Sequence, residues 1–195
     1  MTFKEKTIVY FDKPGKDNTD KALDLAVAYA NTNSIKKIII ASATGKSALK
    51  LKEKAKDIQI VAVTYSEAVP YKEELEEFKK NEAELIKRGI KVVRCTHAFS
   101  GISKSISTKF KTNTPHVLIA ETLKLISEGT KVAVEASLMA ADVGAVKKEP
   151  VLALGGTEEG IDTCLLVEPA TTSDFFKFGI LEIICIPRFG GLFHG

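Results

Sequence analysis

KIIIASATGKSALKLKEKAKDIQIVAVT, Lys37 to Thr64, reads as a strand, a hydroxyl-rich turn, a basic helix and a second strand. The β-branched run Ile38-Ile39-Ile40 gives way at once to Ala41-Ser42-Ala43-Thr44-Gly45-Lys46-Ser47. Helix formers follow (Ala48, Leu49, Leu51, Glu53, Ala55), then an apolar strand from Ile58 to Val63. Such a turn sets backbone N–H groups and the hydroxyls of Ser42, Thr44 and Ser47 at a helix N-terminus, where an anion is favoured. Lys46 adds positive charge at the same point. The turn is therefore expected to cradle a phosphate.

Outward from this unit, strand and helix patterns alternate. Thr7 to Phe11 reads as a strand closed by Pro14-Gly15, and Asn18 or Thr19 caps a helix reaching about Ala30. Tyr71 to Arg88 is strongly amphipathic, with Leu75, Phe78, Leu85 and Ile86 inward and Gly89 as its C-terminal cap. Ile90 to Arg94 reads as a strand, and the polar segment Ser103 to Asn113 as a long loop. Thr114-Pro115 starts a helix to Ser127. Gly129 interrupts, and a second helix runs from Lys131 to Val146. Strands are expected at Pro150 to Leu154, Thr163 to Val167 and Leu181 to Ile186. Strands separated by helices imply an α/β fold, a three-layer α/β/α sandwich with a mostly parallel sheet covered on both faces. With no linker, repeat or heptad seam, residues 1–195 are expected to form a single domain.

The chain is 45% hydrophobic and 27% charged, with net charge +3, which is ordinary for a globular protein. A pI near 8.6 with no tryptophan argues against nucleic acid as a partner. No apolar run is long enough to span a membrane, and the start MTFKEKTIVYF enters a strand directly, so no membrane association and a cytoplasmic location are expected. Cys95, Cys164 and Cys185 form neither a disulfide framework nor a metal site, and no metal is expected. Cys164 and Cys185 read as core thiols.

Ligands of open α/β sheets bind at the carboxyl ends of the strands. Four such ends here run into small or polar residues: Pro14-Gly15 to Asn18-Thr19, Ser42 to Ser47, Thr96-His97-Ala98-Phe99-Ser100-Gly101, and Gly155-Gly156-Thr157 to Asp162-Thr163. Gly45-Lys46-Ser47 is not a Walker A loop, because the glycine required five residues before the Gly-Lys pair is replaced by Ile40.

Ser42-Ala43-Thr44-Gly45-Lys46-Ser47-Ala48 and Ile60-Val61-Ala62-Val63-Thr64 resemble the pyruvate kinase C-terminal domain, at the place where that enzyme binds its sugar bisphosphate effector. Arg88-Gly89-Ile90 and Pro150 to Gly155 are similar to later parts of that domain, and Asp162 departs from its effector loop. Nothing resembles the catalytic barrel, so pyruvate kinase activity is not implied. The chain more closely resembles small stand-alone archaeal and bacterial members of this fold with a Tyr-Phe-x-x-Pro-Gly-x-x-Asn-Thr start, a Thr-His-x-x-Ser-Gly loop and a Gly-Gly-Thr…Asp-Thr loop, here Tyr10 to Thr19, Thr96 to Gly101 and Gly155 to Thr163.

That resemblance implies FMN as cofactor, or a similar small phosphorylated ligand. Its contacts are expected from Asn18, Thr19, Ser42, Ala43, Thr44, Gly45, Lys46, Ser47, Thr64, Thr96, His97, Ser100, Gly101, Gly155, Gly156, Thr157, Asp162 and Thr163. His97 and Ser100 would meet the ring or ribityl part with Phe99 nearby; equally, His97 serves backbone groups in its loop. Glu121 and Glu135, lone charges in apolar runs, reach the crevice, pair with Arg94 or Lys104, or face solvent. A binding protein is the leading expectation, an FMN-dependent oxidoreductase the alternative, and a thiol hydrolase using Cys95 and His97 the remotest. A homo-oligomer is possible, and the apolar tail Phe189 to Phe193 is expected to be either a contact surface or disordered.

Overall fold

The computed structural model describes residues 3–67 and 72–188. In chain order they form β1 (Val9–Phe11), α1 (Thr19–Thr32), β2 (Lys37–Ala41), α2 (Lys46–Lys54), β3 (Gln59–Thr64), α3 (Lys72–Lys87), β4 (Lys91–Arg94), α4 (Ile102–Phe110), α5 (Pro115–Lys124), α6 (Glu128–Asp142), β5 (Val151–Gly155), β6 (Thr163–Glu168) and β7 (Gly179–Pro187). Tyr71, where the sequence starts α3, lies outside the described residues, as do His194 and the tail from Phe189 to Phe193.

The strands make one seven-stranded sheet in the order β1-β7-β6-β5-β2-β3-β4. β6 runs antiparallel to both its neighbours, and every other pair is parallel. β5 and β6 are joined by residues 156–162 alone, too few for the crossover a parallel pair needs, so the chain turns straight back. The C-terminal ends of β1, β2, β3, β4, β5 and β7 thus share one edge with the start of β6. From β2 the chain steps outward to β3 and β4, and from β5 the other way to β6 and β7. The gap between the ends of β2 and β5 is the topological switch point.

Alternation along each strand feeds two cores. Ile38, Ile40, Ile60, Ala62, Leu152 and Leu154 pack under α1, α2 and α3 with Leu23, Leu51, Phe78 and Leu85. Ile39, Val61, Val63, Val151 and Ala153 pack against α6 and the loop after β4 through Val134, Leu138, Met139 and Phe99. Each fully buried Ile or Leu contributes about 1.5–3 kcal/mol. Helices therefore cover both faces, as the sequence implied. Cys164 and Cys185 are buried in the first core, where burial holds the Cys164 thiol well above its usual range and pushes Cys185 up to about 12.

Several expectations need correction. The segment from Ser103 to Asn113 is not a loop: Ile102–Phe110 is helical. This helix buries Ser103, while Ile102, Ile106 and Phe110 are 80%, 37% and 65% exposed, the reverse of the usual arrangement. Gly129 does not interrupt a helix but sits in the first turn of α6, which Ser127 caps by accepting from the Thr130 N–H. Ile86 is exposed, while Leu75, Phe78 and Leu85 are buried.

Candidate ligand crevice

The turn from Ser42 to Ser47 leaves β2 at the switch point. Gly45 has φ of +84°, and a Cβ there would meet Leu85 Cδ1 at 3.0 Å and Asn81 Cβ at 3.2 Å, so the left-handed turn under α3 requires glycine. Asn81 Nδ2 donates to Thr44 O at 2.8 Å, and the Ser42 N–H donates to Val63 O at 2.9 Å. These bonds fix the backbone and leave the side chains unused. The hydroxyls of Ser42, Thr44 and Ser47 make no hydrogen bond among the described residues, and no side chain caps α2. The N–H groups of its first turn have no intrahelical acceptor. Lys46 is exposed and ion-paired with Glu77 across the surface, an interaction worth at most about 1 kcal/mol, so a phosphate can compete for it. Thr64, at the end of β3, is buried and reaches Ala43 O at 3.4 Å.

The loop between β5 and β6 is tied inward. Asp162 is fully buried; it accepts the Gly15 N–H at 2.9 Å, the Thr157 N–H at 3.2 Å and the Thr163 hydroxyl at 2.9 Å. Thr163 lies 3.1 Å from the Ser127 hydroxyl at the cap of α6. Thr19 donates to Lys16 O at 2.6 Å and accepts the Ile161 N–H at 3.0 Å, while Asn18 Nδ2 donates to Lys13 O at 2.7 Å. Asn18, Thr19, Asp162 and Thr163 thus knit the exits of β1 and β5 together, with the Asn18 Nδ2, the Thr19 and Thr163 hydroxyls and the Asp162 carboxylate bonded to the protein. Asn18, in particular, precedes α1 without capping it by its side chain. Gly155 and Gly156 line the exit of β5, and the Thr157 hydroxyl is buried without a partner among the described residues.

The third part lies at the exits of β3 and β4. Thr96 and Gly101 are exposed, and a Cβ on Gly101 would meet Thr96 Cγ2 at 3.1 Å. The Ser100 N–H closes a turn on His97 O at 3.0 Å. Phe99 does not face the crevice: it is buried in the second core, edge-on to Phe175 at 6.0 Å. Its N–H donates to Glu135 Oε1 at 2.9 Å. Glu135 is buried, and its other oxygen accepts from Lys131 Nζ at 2.6 Å and lies 3.7 Å from His97 Nδ1. The His97 ring stacks on Tyr65, centroids 5.4 Å apart and planes inclined by 23°. Glu135 thus pairs with Lys131, not Arg94 or Lys104, and Arg94 is held by Glu67 and Glu82. Glu121 is exposed and pairs with Lys124.

Lys131 and Tyr65, which the sequence reading did not single out, stand against Glu135 and His97 at these exits. An i,i+4 Lys–Glu pair on a helix ordinarily marks a solvated face. The available signal was Glu135 alone among alanines and valines, which requires its partner to be inward too.

Burial, more than the opposing pull of Glu135, lowers the His97 pKa below the ordinary 6.5, and Lys131 lowers it further. An unfolded chain therefore takes up this proton first as the pH falls below 6.5, so His97 removes folding stability from there down to its folded value. NMR titration should place His97 below 6.5, and His97→Asn should flatten the pH dependence of urea stability in that window. An unchanged slope would refute this account. Burial, with Asp142 adding to it, raises the Cys95 thiol, the opposite of what a nucleophilic thiol needs. Among the described residues no cluster of His, Cys, Asp and Glu is placed to hold a metal, and no helix is long and apolar enough to cross a membrane.

Residues 20–166 match the family model described as pyruvate kinase, alpha/beta domain. Among solved structures, the chain is similar to a pyruvate kinase from Cryptosporidium parvum, with 20% identity and a TM-score of 0.40, over 77% of this chain and 22% of that one. It is also similar to an NH3-dependent NAD synthetase from Campylobacter jejuni, solved with nitrate, with 16% identity and a TM-score of 0.40, over 69% of this chain and 54% of that one. The chain thus spans about a fifth of the pyruvate kinase and about half of the synthetase.

Proposed function

The chain belongs to the pyruvate kinase alpha/beta domain family, and from that premise we propose that it binds a small phosphorylated molecule, FMN, in the crevice at the carboxyl ends of the strands, and performs no pyruvate kinase reaction. The observation that carries this reading is the unengaged turn: three free hydroxyls and the uncapped N-terminus of α2 converge at the switch point. Ser42, Thr44, Ser47 and the N–H groups of Gly45 and Lys46 would hold the phosphate. The exits of β5 and β4, with Gly155, Gly156, Thr157, His97 and Ser100, would border the rest of the ligand. Bound FMN would supply a two-electron redox centre. The neutral imidazole of His97 beside it is compatible with the alternative reading, an FMN-dependent oxidoreductase.

Hydrogen bonds to a charged group contribute about 1.5–3 kcal/mol each. Thr44→Ala with Ser47→Ala should weaken FMN binding by tenfold or more, read by quenching of flavin fluorescence. Equal affinity in the double variant would remove the cradle. Purified protein should be yellow or take up FMN on mixing; a preparation that does neither overturns the flavin reading. Bleaching by NADH or NADPH would favour the oxidoreductase over a binding protein.

A further inference from the structure

We propose that α4 docks the protein on an anionic phospholipid surface, its apolar stripe entering the acyl boundary and its lysines meeting the headgroup phosphates. The inference is independent of the ligand crevice.

α4 is built inside out. Ile102, Ile106 and Phe110 recur every four residues along one stripe and are exposed, whereas Ser103 is buried. Its polar side faces the protein. The Ser103 hydroxyl bonds to the Thr114 hydroxyl, and the Ser107 hydroxyl is buried with no partner among the described residues. No other described helix or strand packs closely on α4. A surface helix ordinarily turns its apolar stripe to the core, and a stripe turned outward marks a contact with something else.

Charge points to the partner. No Asp or Glu occurs between Glu84 and Glu121. Lys104, Lys109 and Lys111 are exposed, and none has an ion pair among the described residues. Beside the stripe lies a shallow hollow of about 420 Å³, lined by Gly101, Lys104, Ser105, Thr108 and Lys109. Two ammonium groups, two hydroxyls and no carboxylate suit a headgroup phosphate. Lys109 Nζ also stands 5.4 Å from the centre of the Phe110 ring, so an apolar anchor and a snorkelling cation are side by side.

Area disfavours a second copy of the chain. At roughly 200 Å² for a fully exposed side chain of this size, the stripe offers about 360 Å². A standard protein interface takes about 800 Å² from each partner. Two such faces would also bring their lysines together. A lipid surface sets no minimum area: binding grows with the apolar surface buried and with the attraction of each lysine to anionic headgroups. A helix lying in the surface needs no spanning run, so the absence of membrane association expected for want of such a run does not extend to α4.

The chain has no tryptophan, so Phe110→Trp turns the stripe into its own reporter. The full chain is mixed with vesicles of phosphatidylglycerol and phosphatidylcholine, and with vesicles of phosphatidylcholine alone. It should sediment with the anionic vesicles and bind the neutral ones at least tenfold more weakly, and added salt should weaken the binding by screening the lysines. The Trp emission should shift to the blue on the anionic vesicles. Lys104→Glu with Lys109→Glu should weaken binding tenfold or more, and Ile106→Asp with Phe110→Asp should remove it. Phe110→Asp alone, at a largely exposed position, is measured beside them and should also weaken binding tenfold, circular dichroism monitoring the fold. Failure to sediment with the anionic vesicles overturns the proposal and leaves the stripe to a protein partner. Equal binding to the neutral vesicles, or binding that survives either double variant in folded form, overturns it as well. So does a dimer in analytical ultracentrifugation that Ile106→Asp with Phe110→Asp dissociates while wild type ignores the vesicles, which would make the stripe an interface between copies.

Discussion

Gly155→Ala is expected to lower the unfolding free energy by about 3 kcal/mol or more. A Cβ on Gly155 would overlap the carbonyl oxygen of Gly129 and lie 2.7 Å from the Ala133 nitrogen and 3.1 Å from the Gly129 carbonyl carbon. All three are backbone atoms of α6, so no side-chain rotation relieves the contact. The helix would have to lift from β5, although it also packs on β2 and β6. Lifting would not come free on the other side either. A Cβ on Gly129 would overlap the Thr163 hydroxyl and lie 2.5 Å from Asp162 Oδ1, which shows how closely the first turn of α6 sits on the start of β6. Urea denaturation measures the loss. A midpoint within error of wild type would mean that α6 has room above the strand.

Asp162→Ala should be comparably severe, at about 3–5 kcal/mol. The carboxylate has no exposure, and its removal strands the buried N–H of Thr157 and the half-buried N–H of Gly15, and leaves the Thr163 hydroxyl with Ser127 alone. These groups come from the exit of β1, the β5–β6 loop and the start of β6, so the variant loosens three segments at once. Asp162→Asn retains an acceptor on one side and should cost less. Hydrogen exchange at Gly15 and Thr157 should accelerate in the alanine variant. A destabilisation below about 1 kcal/mol would show that water replaces the carboxylate without penalty.

Much of the fold was legible because period and punctuation agreed. The isoleucines of β2 filled both cores, and the step from them to Ser42-Ala43-Thr44-Gly45 marked the strand end at the crevice. α4 was not legible, because Ile102, Ile106 and Phe110 stand four apart in a Ser- and Lys-rich segment that buries the polar side. A pattern reading looks for a helix that hides its apolar stripe. In the candidate site, residue types alone placed the turn and the loops at the strand exits. Their division of labour was not legible: Asp162 and Thr19 have the same hydrogen-bonding chemistry whether they face a ligand or the Gly15 and Ile161 N–H groups. That choice depends on β1 lying near β6 across β7, a long-range fact that no local pattern carries.

The position of β1 also governs the order of assembly. Its three residues pair with β7, Val9 opposite Cys185, so the first of the described strands finds its partner only when the last of them has been made. Closing so long a loop for so short a ladder places this pairing late in folding, after the β2–β3–β4 unit has formed from local crossovers. Helix α1 shares the delay, because Ala22, Leu23, Ala26 and Ala30 belong to the core that β6 and β7 complete. Until β6 and β7 have been made, that apolar face lacks the strands that complete its core, and it is exposed to aggregation in the meantime. Helix α1 waits for β7.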